Sequence, residues 1–398
     1  MLSRIAIVAY LSISSSFAIS LDEIVDNVLN KNQNIKSLEQ SILVANKQID
    51  VSMNWNNPVL TIGANDIHFE DSFKRDKEPM QAQYLGYSQV IPMGDKLEIK
   101  KEISQRDKHI AVYNVEDKKL ELKSKIYEYG YSIVILEKKY ELLNKYLKNI
   151  QSLEELSNSL YENGKMKQTD IIDLKVSYSN IVLKQKNLKN LINNLYLKLN
   201  ELTYSNISNI ELSLDIKPMT LSADFMSHPK LLLTKEKSLK YNDISRLELE
   251  KRTSDIKFNI AYFQRDDKYK DYANLSVNIP LSIHGTEKIN ALKAKLKAKE
   301  IDIMLNDVTQ SFKTSISILQ NDLNNAISTY TIIKDTILPL KEGVQINIES
   351  YNRFSQSTPQ NTIKNLNDVI KYELMLLDEI KKYFTAYSKS VYFTKGKI

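Results

Sequence analysis

Residues 126–150, IYEYGYSIVILEKKYELLNKYLKNI, decide how this chain is read. Ile126, Tyr129, Ile133, Leu136, Tyr140, Leu143, Leu147 and Ile150 fall at steps of three and four, the seam of a helix packed lengthwise on its neighbours. Around this run, from Gly94 to Tyr204, there is no proline, and the only glycines are Gly94, Gly130 and Gly164. The seam stops at Tyr161-Glu-Asn-Gly164. Ile171, Leu174, Tyr178, Ile181, Leu188, Ile192, Leu195, Leu199 and Leu202 then resume the same step, with Gln185 in one slot. The spacing predicts a long helix over 95–163, a tight turn at Gly164 and a return helix over 169–204. At 1.5 Å per residue the first helix would be about 100 Å long. No compact domain needs such a rod.

Composition agrees. A length of 398 residues suggests two or three ordinary domains, yet 8 glycines and 8 prolines are few for an all-β or α/β chain of that size. With 26% charged and 42% hydrophobic residues, the chain is polar on average but strongly patterned, as long helices with narrow apolar seams are. The net charge of +6 is spread as mixed lysine and glutamate without a basic block, so a solvated helix surface is expected and no nucleic-acid partner. Residues 1–20 read as a secretory signal peptide: Arg4, an apolar run from Ile5 to Leu11, then Ser16-Phe-Ala18 as a small-x-small cleavage site. That run is too short to span a membrane as a helix. The chain has no cysteine, which excludes disulfides and leaves no lipobox for an N-terminal lipid.

The pattern occurs twice. The first repeat, 21–204, predicts a helix over 21–56 with Ile35, Leu38, Ile42, Ala45 and Ile49 as its seam. Strands over 57–69 and 80–92 follow, and then the hairpin described above. A linker over 205–226 leads to the second repeat, 227–398: helix 228–252, strands 255–264 and 271–282, long helix 286–353 and return helix 360–393. Ile279-Pro280 matches Ile91-Pro92, Gly285 matches Gly94, and Tyr351 stands where Tyr161 stood. Tandem repeats of this size set the architecture.

The strands decide where the rods stand. Ile256, Phe258, Ile260 and Tyr262 alternate with Lys257, Asn259 and Ala261; Ala273, Leu275, Val277 and Ile279 alternate with Asn274, Ser276 and Asn278. One face is apolar and one is hydrogen-bonding, the way a barrel strand divides lipid from water. Tyr84, Tyr87, Tyr262, Phe263, Tyr269 and Tyr272 are expected to form an aromatic girdle. Alternation in the first two strands is weaker, since Gln81, Gln83 and Gln89 share a face with Leu85 and Ile91. The other reading is a pair of soluble hairpins capping a helical bundle. Four strands cannot close a barrel, and an open edge in lipid leaves backbone groups unpaired. Membrane strands here would therefore force assembly. Two chains give eight strands, an interior filled by side chains; three give twelve, and a water path.

Residues for catalysis are not in evidence. His68, His109, His228 and His284 are scattered, Lys165 has no phosphate-binding loop before it, and nine methionines are dispersed. No enzyme, cofactor or metal site is expected. Asp170 and Asp173 are the polar residues that stand out, at the start of the return helix. They either cap that helix or line a constricted entrance. Asn365 and Asp368 occupy the matching place in the second repeat.

With Asn57-Pro-Val-Leu-Thr-Ile, Tyr87-Ser-Gln-Val-Ile-Pro92 before Gly94, Tyr161-Glu-Asn-Gly164 before Thr169-Asp-Ile-Ile-Asp173-Leu, and Ile337-Leu-Pro339 before Tyr351, the whole mature chain resembles the TolC family of outer-membrane factors. The resemblance implies a mainly α fold with a membrane β-barrel. Tandem-duplicated coiled-coil hairpins plus four strands per chain would join as a homotrimer, with a 12-stranded barrel in outer-membrane lipid and an α-helical tunnel extending into the periplasm. It implies that the tips near Gly164 and residues 354–361, with Tyr161 and Tyr351, meet a periplasmic adaptor bound to an inner-membrane pump of RND or ABC type. It also implies a kink at Pro339. The second tip departs from the pattern, since Phe354-Ser-Gln-Ser-Thr-Pro359 has no glycine. The function expected is a passive duct for small toxic compounds or metal cations. The alternatives are the duct of a type I protein secretion system, and an exported coiled-coil structural protein without a pore.

Overall fold

The computed structural model describes residues 20–68, 70, 74–222, 224–353 and 359–395, with side chains for all of these except 345, 347–353 and 359–363. Residues 1–19 of the expected signal peptide and 354–358 of the second tip lie outside the described residues. The elements are α1 (Leu21–Lys31), α2 (Gln33–Ser52), β1 (Val59–Asn65), β2 (Ala82–Ile91), α3 (Lys96–Glu162), α4 (Gln168–Thr203), α5 (Pro229–Glu250), β3 (Ile256–Gln264), β4 (Tyr272–Asn278), α6 (Thr286–Ile332), a π-helical turn (Ile333–Ile337), α7 (Leu338–Arg353) and α8 (Pro359–Thr394). The described residues fall in two compact units, one within 20–35, 118–225 and 311–395, the other within 36–117 and 226–310.

The first unit is helical. Ser20 caps α1, its Oγ accepting from the Glu23 N–H at 3.3 Å, and Ser20 with Glu23 has the spacing of a capping box. The helix expected over 21–56 is broken at Asn32. There Oδ1 accepts from the N–H groups of Asn34 (2.9 Å) and Ile35 (3.3 Å), and Nδ2 donates to the Leu202 carbonyl (3.2 Å). An asparagine cap satisfies the first donors of α2 and ties the break to the end of α4. Among the described residues the seams supply two cores. Leu21, Ile24, Val25 and Val28 of α1 pack with Ile126 and Ile133 of α3, Leu199 of α4 and Val391 of α8. Leu143, Tyr146 and Ile150 pack with Leu174, Ile181 and Ile370. Gln185, the polar slot of the return seam, is buried and donates to Asn144 Oδ1 at 2.6 Å, so the seam continues without an unpaired amide.

Residues 205–226 do more than link. Gln320 of α6 donates to the Met219 carbonyl (3.0 Å) and accepts from the Leu221 N–H (2.8 Å), and Tyr383 of α8 donates to the Lys217 carbonyl (2.8 Å). At Pro339 the chain stays helical. Proline lacks an N–H and its ring crowds the carbonyl four residues back. The widened π turn just before it makes room, with the Leu338 N–H donating to the Ile333 carbonyl.

The second unit carries the sheet, antiparallel throughout in the order β1-β2-β3-β4. Its register sets Leu60, Ile62 and Ala64 beside Tyr87, Leu85 and Gln83; these beside Ile260, Tyr262 and Gln264; and Ile260 and Tyr262 beside Leu275 and Ala273. One face is thus apolar across all four strands. The other carries Thr61, Ser88, Lys257, Asn259, Asn274, Ser276 and Asn278, with Asn259 donating to the Ser276 hydroxyl at 3.2 Å. The glutamines that blurred β2 are accounted for. Gln81 precedes the strand and is buried, accepting from the Lys77 and Glu78 N–H groups and donating to the Asp66 carbonyl. Gln83 and Gln89 sit toward opposite ends of the strand, Gln83 paired with Gln264.

The girdle expectation needs correction. Tyr87 and Tyr262 lie on the apolar face, but Tyr84, Phe263 and Tyr272 lie on the polar one, in one stacked row with centroids 5.1 and 4.8 Å apart. The alternation of β2 and β3 places them there. Gly63 ends the row, and a Cβ there would strike the Tyr84 ring at 2.6 Å.

Alongside the sheet, α5 is laced to the start of α3 by Arg106 with Glu236 and Asp243 (3.2 Å each), Lys240 with Asp107 (2.6 Å) and Arg246 with Glu102 (2.6 Å). It is fastened to α6 by the Ser245 hydroxyl, donating to the Ala291 carbonyl at 2.8 Å. Ala291, Ala294, Ala298 and Ile301 of α6 are buried, whereas Ile289, Leu292, Leu296 and Ile303 face outward.

Candidate functional site

Two features stand out, one in each unit. The first is the turn from α3 to α4 and what lies beside it. Gly164 has φ +66°, a left-handed conformation that favours glycine. The Gly164 N–H donates to the Tyr161 carbonyl (2.9 Å) and the Lys165 N–H to the Leu160 carbonyl (2.8 Å). These two bonds make a Schellman stop, which satisfies the last carbonyls of α3. Tyr161 is exposed, and nothing lies within 4 Å of a Cβ built at Gly164. Both expected docking residues of this tip therefore stand at the surface. Tyr351 has helical backbone in α7, but its side chain lies outside the described set.

Lys167 opens α4 without a side-chain cap, and Asp170 is the acid of its first turn. Asp170 is buried; Asp173 is exposed and lies beyond that turn. The helix-terminus effect fades within one turn, so it can act on Asp170 but not on Asp173. Both line an open cleft of about 400 Å³ with Val176 and Ser177 of α4 and with Lys364, Asn367 and Asp368 of α8. Three carboxylates meet one lysine in this lining. Asn365 is not part of it: it is buried and donates to the Lys341 carbonyl at 3.4 Å. Sequence reasoning missed Lys364 and Asn367, although Lys364 stands one helical turn before Asp368 and was legible as such. It also missed Lys341, whose Nζ lies 2.6 Å from Asp368 Oδ2.

The hydrogen bond from Lys341 holds the Asp368 carboxyl below the usual carboxylate range; some burial opposes this, and the charges of Lys341, Lys364 and Lys371 reinforce it. A depressed folded-state value means the bridge contributes above the unfolded value near 4 and is lost as pH falls through the lowered one. The melting temperature of Lys341→Ala is accordingly expected to trail the native protein by a constant small margin from pH 8 to pH 5. That margin should close below about pH 4. A margin that widens in acid would contradict the assignment.

The second feature is the sheet itself. Its apolar face is uncovered: Ile62 is 78% exposed and Leu275 79%, and Leu60, Leu85, Tyr87, Phe258, Ile260 and Val277 are exposed with them. A surface that large and apolar is rare on a soluble chain and marks a contact with lipid or protein. β1 and β4 are its open edges. Among the described residues no helix is long and apolar enough to cross a membrane, and no group of His, Cys, Asp or Glu is arranged to hold a metal ion. His228, fully buried, caps α5 by accepting from the Lys230 N–H at 3.1 Å.

No protein-family model and no curated protein sequence matches the chain. Solved structures do. The CmeC outer membrane channel of Campylobacter jejuni has a TM-score of 0.77 at 12% identity, over 95% of this chain and 87% of that one. The outer membrane protein VceC of Vibrio cholerae has 0.77 at 10%, over 94% and 96%. The open state of the MtrE outer membrane channel of Neisseria gonorrhoeae has 0.75 at 14%, over 94% and 88%. The likeness is one of fold, along nearly the whole of each chain.

Proposed function

From a chain with the fold of the TolC-like outer-membrane factors, we propose a passive export duct in the outer membrane with a periplasmic extension. The observation that carries this is the uncovered apolar face of the four-stranded sheet, polar on its other side and open at both edges. In lipid those edges must be paired. Three copies give twelve strands, enough for a water-filled interior. Outward apolar residues on the helices support the same assembly: Ile289, Leu292, Leu296 and Ile303 on α6, and Ile172, Val176, Leu183 and Leu191 on α4. Each lies opposite a face already buried in the protomer, as expected of a helix packed between two neighbours. A coiled-coil protein without a pore would leave the sheet's apolar face in water, so it is the lesser reading.

On this reading the acidic cleft beside Gly164 is the periplasmic aperture, and the exposed tip meets an adaptor bound to an inner-membrane pump of RND or ABC type. That pump would supply the energy and set the cargo, small toxic compounds or metal cations. The test is export. Host cells lacking the protein are expected to accumulate a fluorescent pump substrate, and the native chain to restore its efflux. Unchanged accumulation, with the protein soluble in the periplasm, would overturn the proposal.

A further inference from the structure

The two repeats finish their strand-to-helix corners differently, and we propose that the second corner is completed by Ser52 and Asn57 of a neighbouring copy of this chain. The proposal rests on the assembly given under Proposed function and assigns a particular seam within it.

The first corner, from β2 into α3, is clamped inside the chain. Gly94 has φ +71°. The Asp95 N–H donates to Glu250 Oε1 (3.3 Å) and the Met93 N–H to Asp255 Oδ1 (3.1 Å). Lys96 is buried, its Nζ 2.5 Å from Asp255 Oδ1 and also donating to the Thr253 carbonyl. The helix-to-strand corner of the second repeat thus grips the strand-to-helix corner of the first.

The duplication says what should grip the second corner, from β4 into α6. Gly285, φ +72°, is the counterpart of Gly94, which makes Thr286 and Glu287 the counterparts of Asp95 and Lys96. The ends of α2 and α5 pair Ser52 with Glu250. The same shift along the chain lays the apolar-face residues Leu60, Ile62 and Ala64 on Phe258, Ile260 and Tyr262, and carries Asn57 to Asp255. Yet nothing lies within 4 Å of a Cβ built at Gly285. Among the described residues neither Glu287 nor Asn57 makes a side-chain hydrogen bond. Inside one chain they cannot meet, because β1 and β4 stand at opposite edges of the sheet, about 14 Å apart at three strand spacings.

Between copies in a ring the match is good. In the first corner a lysine donates to an aspartate. In the second, Glu287 can accept from Asn57 Nδ2, the same pairing with its polarity reversed. The Thr286 N–H can donate to Ser52 Oγ as the Asp95 N–H does to Glu250. The His284 N–H can donate to Asn57 Oδ1 as the Met93 N–H does to Asp255, and only the bond from Lys96 to the Thr253 carbonyl has no counterpart, since a carboxylate does not donate. Identical copies related by rotation repeat this contact at every seam.

Because the chain has no cysteine, a pair of introduced cysteines reports cleanly. Cα atoms more than about 7 Å apart cannot be bridged, so Asn57→Cys with Glu287→Cys can form a disulfide only between copies. Purified detergent-extracted particles carrying both changes are expected to run as a covalent trimer on a non-reducing gel, and those carrying either one alone as single chains. A charge exchange is the second arm. Glu287→Lys should lower the temperature at which the native trimer dissociates, and adding Asn57→Asp, which rebuilds the Lys96–Asp255 pair, should restore most of that loss. Native trimers that give only single-chain bands from the cysteine pair, or a dissociation loss that Asn57→Asp deepens, overturn the seam and leave the duct standing. Particles that are single chains before oxidation overturn both.

Discussion

Leu275→Arg is expected to remove the protein from the outer membrane. Leu275 is the centre of β4, opposite Ile260, on the face that is apolar across all four strands. An arginine facing lipid near the midplane costs about 2–4 kcal/mol, and a three-copy barrel would carry it three times, about 6–12 kcal/mol in all. The outer-membrane fraction should lose its trimer band almost completely. Ser276→Arg is the control one residue on. Ser276 stands opposite Asn259 on the polar face, so that arginine meets water and the trimer should persist, with lower conductance. The measurement is the amount of trimer in outer-membrane fractions on unheated gels. Equal loss in both variants would mean that the two faces do not divide lipid from water.

The second large effect is expected at the acidic cleft. Asp170→Asn with Asp173→Asn should give a severalfold rise in single-channel conductance and a weaker preference for cations. The two single variants separate the roles. Asp170 is buried in the first turn of α4, where a carboxylate is worth about 0.3–1 kcal/mol to the helix, so Asp170→Asn alone should also lower stability. Asp173 is exposed and past that turn, so Asp173→Asn should move selectivity at unchanged stability. If the double variant conducts like the native channel, the two acids do not set the aperture.

The parts of this molecule that were legible are those built from local periodicity. Leu143, Ile150, Leu174 and Ile181 fall in a helical step, and they form one of the cores that the first unit buries. Strict alternation in β3 and β4 gave both faces of the sheet, while β2 was blurred by Gln83 and Gln89, which sit toward its ends. What depended on distant partners was not legible. Asn32 reads as an ordinary helix residue until its amide reaches the Leu202 carbonyl, 170 residues away. The row of Tyr84, Phe263 and Tyr272 was assigned to the wrong face because aromatic residues were counted without their register. At the cleft, Asp170, Asp173 and Asp368 are brought together by the packing of α4 on α8, but Lys341 joins Asp368 from another helix, and no spacing announces that.

The most direct test is the mass and conductance of the detergent-extracted particle in a planar lipid bilayer. The proposed duct, resting on the sheet's uncovered apolar face and open edges, predicts a particle of three chains that inserts and carries ion current. A water-soluble single chain that leaves the bilayer sealed would contradict it.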